Sequence, residues 1–276
     1  MRALRRASGL AGLLALLLLS VPLRAEAPIL LRYRFTPGQV LRYGMEVRAN
    51  ARLGSTALPP YVLEQDYGIE LEVLSVEPNG AARIEIRQKL QRNRVLLSRQ
   101  ELPVAAPEVS TTRFQLRVEP NGSGFVPLGS SIPGSQTAAA AWLLFPAFPE
   151  RPMAAGHSWT TIHETALSVA GGSVSSRYNA RYTYDGPDRQ TVPGSARVAA
   201  EVKLRIPTPG HADKQRPATI TGSGEGHGCL YFREGRLVYG TLEGTSATDS
   251  RLPLAGGAGF SLPLDTTFTA RLRLIS

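Results

Sequence analysis

The chain has 276 residues, and 31 lysines and arginines against 22 acids give it a formal net charge of +9 at pH 7. Hydrophobic residues make up 42% and charged residues 19%, a globular composition that excludes a disordered chain. The length allows one large domain or two modest ones. A single cysteine, Cys229, excludes an intrachain disulfide framework and a cysteine-rich zinc site.

The first 25 residues are typical of a secretory signal peptide. Arg2, Arg5 and Arg6 precede an apolar run over residues 10–21, and its 12 residues are too few for a membrane-spanning helix of about 20. We expect cleavage after Ala25. No cysteine lies near this point, so a lipid-anchored terminus is not expected, and no later segment predicts a transmembrane helix. The predicted location is periplasmic or extracellular.

Nearly all of the basic charge is arginine, with 28 arginines against three lysines. A surface suited to phosphates would explain this bias, and so would codon usage in a GC-rich genome. Because the arginines are dispersed and form no cluster, the sequence does not favour nucleic-acid binding. It leaves a lipid or an anionic envelope surface as the candidate partner, and it leaves the oligomeric state open.

Period-two alternation of apolar and polar residues predicts β-strands along the chain. Successive strand side chains point to opposite faces, so each such segment has one apolar and one charged face. The pattern occurs around residues 31–35, 41–53, 67–73, 82–90, 114–118, 178–184, 198–206 and 268–274. In residues 82–90, Gln88 is the one polar residue on the apolar face. We predict an all-β fold of antiparallel curved sheets or a barrel-like closure.

Turn residues separate these segments. Residues 76–80 and 118–122 are the same Val-Glu-Pro-Asn-Gly sequence, in which proline presets φ and Asn-Gly accepts the positive φ of a tight turn. Residues 185–188 and 234–235 are predicted as further reversals.

One short helix is predicted over residues 136–145, where Ala138–Ala141 and Trp142 precede Pro146. Prolines 146, 149 and 152 then form a stiff connector. The expected organisation is a signal peptide (1–25), a first β lobe (26–130), the helix and proline-rich connector (131–156) and a second β lobe (157–276). Two packed lobes and one large curved sheet or barrel fit this pattern equally well.

Three motifs together resemble a group of uncharacterised, secreted, strand-rich bacterial proteins. These are Tyr33-x-Phe35-x-x-Gly38 at the start, Pro149-x-x-Pro152-x-x-x-Gly156-x-x-Trp159 in the centre, and Gly224-x-Gly226 before Gly235-Arg236-Leu237. The resemblance implies an all-β envelope protein of unknown function. It supplies no active-site residues, because His157 and Arg233 stand where that group usually has aspartate.

A run of alternating glycines at positions 222, 224, 226 and 228 is the most unusual local feature. On a strand, Gly222, Gly224, Gly226 and Gly228 share the face of Leu230, and such glycines permit sharp coiling or close approach of another element. Ser223, Glu225 and His227 then share the opposite face and are the candidate catalytic residues. Neighbouring same-face positions lie about 6.5–7 Å apart, which is longer than a hydrogen bond. The structural interpretation is therefore preferred, and Trp142 and Trp159 are also expected to be structural.

The sequence predicts no cofactor and no metal site. His157, His163 and His211 are scattered, and an interval of six on a strand separates two side chains by about 20 Å. No nucleophile elbow, zinc-protease motif, Walker-type loop or dinucleotide fingerprint occurs.

Three functional hypotheses follow. The leading one is a non-enzymatic periplasmic or secreted protein, a binding module whose sheets enclose an apolar cavity for a lipid-like ligand. The second is a hydrolase that uses Ser223, Glu225 and His227. The third is an outer-membrane β-barrel, because alternation alone does not say which face is outside.

Overall fold

A computed structural model describes residues 27–54, 59–98, 100–102, 111–124, 126–128, 144–169, 172–207, 219–253 and 259–276. Within these residues nearly all regular structure is antiparallel β-sheet, which confirms the predicted all-β class. The predicted signal peptide, Trp142, His211 and all but residues 144 and 145 of the predicted helix lie outside the described residues.

Twelve strands are present in the described part of the chain. They are β1 (Val40–Leu53), β2 (Tyr61–Val76), β3 (Ala82–Leu97), β4 (Gln100–Leu102), β5 (Thr111–Val118), β6 (Val126–Leu128), β7 (Ser158–Val169), β8 (Gly172–Pro187), β9 (Ala196–Ile206), β10 (Thr219–Arg233), β11 (Arg236–Pro253) and β12 (Gly259–Leu274). Alternation predicted β1, β2, β3, β5, β8, β9 and β12, whereas β7 and β11 lie outside the segments that it indicated.

All twelve strands belong to one sheet. Its order is β6-β5-β3-β2-β1-β12-β11-β10-β9-β8-β7, with β4 beside β3, so each half of the chain is a meander of neighbouring strands. The halves join where β1 pairs with β12 from Tyr43–Leu274 to Leu53–Leu264. The edge strands β6 and β7 do not pair with each other, so the sheet is not closed into a barrel. Of the arrangements that the sequence left open, the chain forms one large curved sheet.

One end of the curved sheet is filled by rings that we call the aromatic plug: Tyr33, Phe35, Phe145, Phe148, Trp159 and Phe232. The plug and the inward side chains of strands from both halves form a single hydrophobic core. Such a core requires that the two halves of the sheet face each other, because strands from its two flanks contribute to the same cluster.

Two segments outside the sheet, residues 27–37 and 144–157, supply four of the six plug rings. The second segment crosses the gap between the edge strands β6 and β7. Residues 144–157 are held on one side by the bond from the Phe148 amide to the Asn121 carbonyl, at 2.6 Å. On the other side Trp159 Nε1, at the start of β7, donates to the Ala147 carbonyl at 2.7 Å. These hydrogen bonds to irregular backbone bridge the gap. They satisfy polar groups that strand pairing would satisfy in a closed sheet.

Two local predictions were wrong. Residues 31–35 alternate but form no strand, because this segment lies across the end of the sheet, where Tyr33 bonds the Pro120 carbonyl and Arg34 the Gly235 carbonyl. Residues 185–188 do not reverse the chain, because β8 continues through a bulge between Tyr184 and Gly186 to Pro187, and the turn follows at residues 188–195. The turns at residues 77–80, 119–122 and 234–235 are confirmed.

The glycines of β10 lie where the backbone of β11 approaches β10 closely. A Cβ at Gly228 would overlap the backbone carbonyl of Thr241 on β11, and a Cβ at Gly244 would overlap that of Glu225. Gly226 and Gly244 are direct partners in the β10–β11 ladder. Absence of side chains therefore lets β11 coil tightly over β10, which supports the coiling interpretation of the glycine run.

The outward face is held together by ion pairs, among which Glu85 on β3 is the most buried carboxylate, at 1% exposure. Burial by itself would raise the pKa of Glu85. Hydrogen bonds from Arg113 (2.6 Å), Arg87 (2.7 Å) and Gln115 (3.3 Å) outweigh that effect and hold the pKa below its ordinary value.

We expect Gly228→Ala to lower the free energy of unfolding by about 1–3 kcal/mol, because the new methyl group forces β10 away from Thr241. Gly44→Ala is the matched control, since its Cβ would meet only the Ile275 side chain at 3.5 Å. Urea unfolding of both variants measures the difference. Equal stability of the two variants would show that the glycine line does not set the bend.

We expect Glu85→Gln to lower the free energy of unfolding at pH 7 by about 1–3 kcal/mol, because a neutral amide loses the charged bonds to two arginines. Since the folded-state pKa is depressed, this stabilisation exists above the unfolded pKa and disappears as the pH falls through the lower folded value. Unfolding curves of variant and wild type should therefore converge in acid. Glu72→Gln, at the more exposed facing position, is the control with a smaller effect, and a pH-independent difference for Glu85→Gln would contradict the account.

An apolar cavity between the two halves of the sheet

Beyond the aromatic plug, the inward faces of the sheet separate and leave a cavity of about 450 Å³. Its walls come from both halves of the chain. Strands β1, β2 and β3 contribute Met45, Val47, Ala49, Leu63, Gln65, Tyr67 and Gln88, while β8 to β12 contribute Tyr178, Val202, Leu204, Gly224, Glu225, Gly226, Leu242, Thr245, Ser246, Phe268 and Ala270. Most of these side chains are apolar.

Side-chain size explains where packing ends and the cavity begins. Along the inward face of β1 the residues are Leu41, Tyr43, Met45, Val47 and Ala49, and the first three are buried while the last two line open space. The same decrease occurs on β10, where Phe232 and Leu230 are followed by glycines. On β12 Leu272 is followed by the small Ala270, but the next inward residue, Phe268, is large and lines the cavity. Small side chains cannot fill the distance between the facing halves.

Two polar wall residues are already satisfied. The Tyr67 hydroxyl donates to Gln65 Oε1 at 2.9 Å, and Gln65 Nε2 donates to Asn93 Oδ1 at 3.2 Å. Burial raises the pKa of Tyr67, so its hydroxyl stays a donor at neutral pH.

Gln88 on β3 is different. Its side chain is 5% exposed, and Oε1 is buried without a hydrogen-bond partner among the described residues. An unsatisfied buried acceptor costs about 1–3 kcal/mol relative to a paired one. The polar residue that interrupts the apolar alternation of β3 thus lies in the cavity wall.

A second concavity, a groove of about 880 Å³, lies over the far ends of β8 to β12 and β1, and most of its side chains belong to the polar face. Ser223 and Glu225 line this groove, together with Arg52, Lys203, Arg205 and Asp265. Ser223 therefore borders this groove, whereas Glu225 lines both the groove and the apolar cavity.

The third candidate, His227, pairs with a different carboxylate. His227 Nε2 lies 2.9 Å from Glu243 Oε1 on β11, and both side chains are more than half exposed. Ser223 is four residues away on the same extended strand, about 13 Å along its axis. The three residues share one face, as the sequence predicted, but Ser223 and His227 are too far apart for proton transfer within a hydrogen bond.

The other residues that the sequence singled out are held by contacts within the sheet and the plug. Trp159 stacks on Tyr182 and His157 within the plug region. Burial lowers the pKa of His163 to about 4, so its imidazole, which bonds Thr161, is neutral at pH 7. Cys229 is partly buried, and its Sγ accepts a bond from Arg197 at 3.3 Å.

No group of three histidine, cysteine or acidic side chains in the described part of the chain is arranged to hold a metal ion. In the same part of the chain, no helix is long and apolar enough to span a membrane.

Positive charge is left unpaired on one flank of the sheet. Arg177 on β8 and Arg205 on β9 are direct partners in the ladder, and both are exposed. Glu164 on β7 is the ladder partner of Arg177 on its other side, but neither arginine forms an ion pair within 4 Å in the described ranges. Like charges in that position destabilise a sheet. Their neighbours Tyr178 and Leu204 line the cavity from the other face, so the pair lies beside it.

Residues from each of the three motifs that suggested a family resemblance lie at or beside the plug, whereas Gly224 and Gly226 of the third motif line the cavity. Tyr33, Phe35 and Trp159 are plug residues, and the Gly235 carbonyl accepts a bond from Arg34. These contacts give the motif residues a structural role in packing the plug. Comparison of the sequence with protein-family models and with curated proteins gave no match to either.

Proposed function

We propose that this protein is a non-enzymatic periplasmic or secreted binding protein that holds a lipid-like ligand in the apolar cavity. The observation that carries the proposal is the cavity itself, which lies between two halves of one sheet and is lined mainly by apolar side chains. Its volume of about 450 Å³ falls within the range of about 300–1,000 Å³ that is usual for small-molecule sites.

The wall favours a long apolar group over a polar metabolite. Burial of one methylene is worth about 0.8 kcal/mol, so an acyl chain of ordinary length gains enough to offset an association cost of about 4–15 kcal/mol. The plug, in contrast, is fully packed by rings and offers no comparable space. A ligand in the cavity would complete the core that the small residues of β1, β10 and β12 leave unfilled.

Binding is better supported than catalysis. A hydrolase needs a nucleophile within reach of its base, and Ser223 and His227 are separated by four strand positions. His227 is held by Glu243 instead, at an exposed site.

An anionic envelope surface is the proposed partner of the basic flank. Arg177 and Arg205 repel each other in the free protein, and anionic head groups would relieve that repulsion. In the first half, by contrast, arginines such as Arg92 and Arg94 are close to Asp66, Glu64 and Glu101. A protein that exchanges lipid with a membrane would use such a surface beside its cavity.

We expect Ala49→Phe to lower the affinity for a neutral apolar dye, Nile red, by tenfold or more, because the ring fills the cavity. Wild type should bind one dye with a blue-shifted emission, and saturating single-chain lipid should raise its melting temperature by about 5–10 °C at a hundred times Kd. Dye titration and thermal unfolding measure both effects.

Ala199→Phe is the matched control, since Ala199 lies on the outward face of β9 opposite Cys229. This variant should bind dye and lipid as wild type does. Failure of wild type to bind dye or any lipid, or undiminished binding by Ala49→Phe, would refute the proposed function.

We expect wild type to bind vesicles of phosphatidylglycerol and not those of phosphatidylcholine. The double variant Arg177→Ser/Arg205→Ser should bind the anionic vesicles about thirtyfold more weakly, at about 1 kcal/mol per arginine. The control Arg92→Ser/Arg94→Ser removes the same charge from arginines with acidic neighbours and should have a smaller effect. Vesicle co-sedimentation measures all three proteins, and an equal loss in both double variants would show that only net charge matters.

A further inference from the structure

One side chain on the cavity wall has a bonding capacity that the protein does not use. Gln88 lines the cavity, its Oε1 is buried, and no described residue donates to that oxygen. Ile84 and Ile86 precede it on the same face of β3 and are fully buried, so Gln88 lies where the packed core gives way to open space. Buried acceptors without a donor are rare in folded proteins and call for a specific explanation.

We propose that Gln88 selects the ligand, and that the ligand is a neutral single-chain amphiphile whose hydroxyl or amide group donates a hydrogen bond to the Gln88 carboxamide. This inference rests on the proposed function and names the ligand class for the same cavity. Gln88 Oε1 is itself buried, so it meets a ligand in the cavity only when the carboxamide turns toward the open space. The terminal torsion of glutamine is soft, so this turn leaves the other torsions of the side chain unchanged.

Two other polar residues of the cavity wall, Gln65 and Tyr67, already have hydrogen-bond partners within the protein. Gln65 and Tyr67 bond each other, and Gln65 also bonds Asn93. Among the described residues of the wall, Gln88 is therefore the one with a buried acceptor that receives no hydrogen bond. A ligand donor would satisfy that atom, whereas an apolar ligand would leave it unpaired.

The charge of the wall argues for a neutral ligand. Among the described residues that line the cavity the only charged one is Glu225, and it also lines the groove of the polar face. A carboxylate or phosphate beside Gln88 would be buried without a cation, which is strongly unfavourable. An uncharged donor avoids this cost.

The test compares three ligands of equal chain length as competitors of Nile red: a fatty alcohol, its methyl ether and the fatty acid anion at neutral pH. For wild type we expect the alcohol to bind about three- to tenfold more tightly than the ether, which lacks the donor, and more tightly than the anion. Gln88→Leu should lose that factor for the alcohol and keep the ether affinity, with no loss of thermal stability.

Gln91→Leu is the matched control, because it makes the same change on the same strand at an exposed position and should keep the preference. Gln88→Met serves if the leucine variant does not fold, and the wild-type ligand series is informative without either variant. Equal binding of alcohol and ether by wild type, an unchanged preference in Gln88→Leu, or tighter binding of the anion would overturn the inference and leave the proposed function standing. No displacement by any of the three ligands would instead refute the proposed function.

Discussion

The structure depends on burying the apolar face of a single sheet against itself. An antiparallel sheet with one apolar face normally packs on a second sheet or on helices. Here the first and second halves of the same sheet supply the two layers, joined by the β1–β12 ladder. This is possible because β11 coils closely over glycines of β10, where any side chain would collide with the backbone of the next strand.

The same constraint produces both the core and the cavity. Where large rings from residues 27–37 and 144–159 enter between the halves, the space is filled and the edges of the sheet are bridged. Where the inward residues become valine, alanine and glycine, the halves are held apart by the filled end and the space stays open. Gly224 and Gly226, which belong to the same run of glycines as Gly228, leave the cavity wall without side chains. The bend and the site therefore have one physical origin.

Alternation in the sequence predicted most of the long strands, missed β7 and β11, and left the arrangement of the strands open. Alternation located β1 because Leu41, Tyr43 and Met45 need one buried face whatever they pack against. It failed at residues 31–35, where the same alternation serves a segment packed across the end of the sheet, since periodicity records burial and not strand pairing. It also could not choose between two lobes and one sheet, because that choice depends on the long-range β1–β12 pair.

The candidate site was only partly accessible from the sequence. Gln88 stood out as a polar residue on an apolar face, and the glycine run stood out as a place of coiling. Ser223, Glu225 and His227 drew attention for their chemistry, but strand geometry holds Ser223 away from His227. The decrease in side-chain size along β1 and β10 was the available signal for the cavity, and it becomes meaningful only when the facing strands are known.

The most direct measurement of the central claim is methyl NMR spectroscopy of the protein under xenon, an apolar atom that enters empty apolar cavities. If the halves of the sheet enclose the cavity, methyl signals of Val47, Leu204 and Leu242, which come from three distant parts of the chain, should shift together and saturate with one affinity. Methyl signals of the packed core residues Ile84 and Leu116 should stay in place. Absence of shifts at the cavity methyls, or shifts that affect the core equally, would contradict the account.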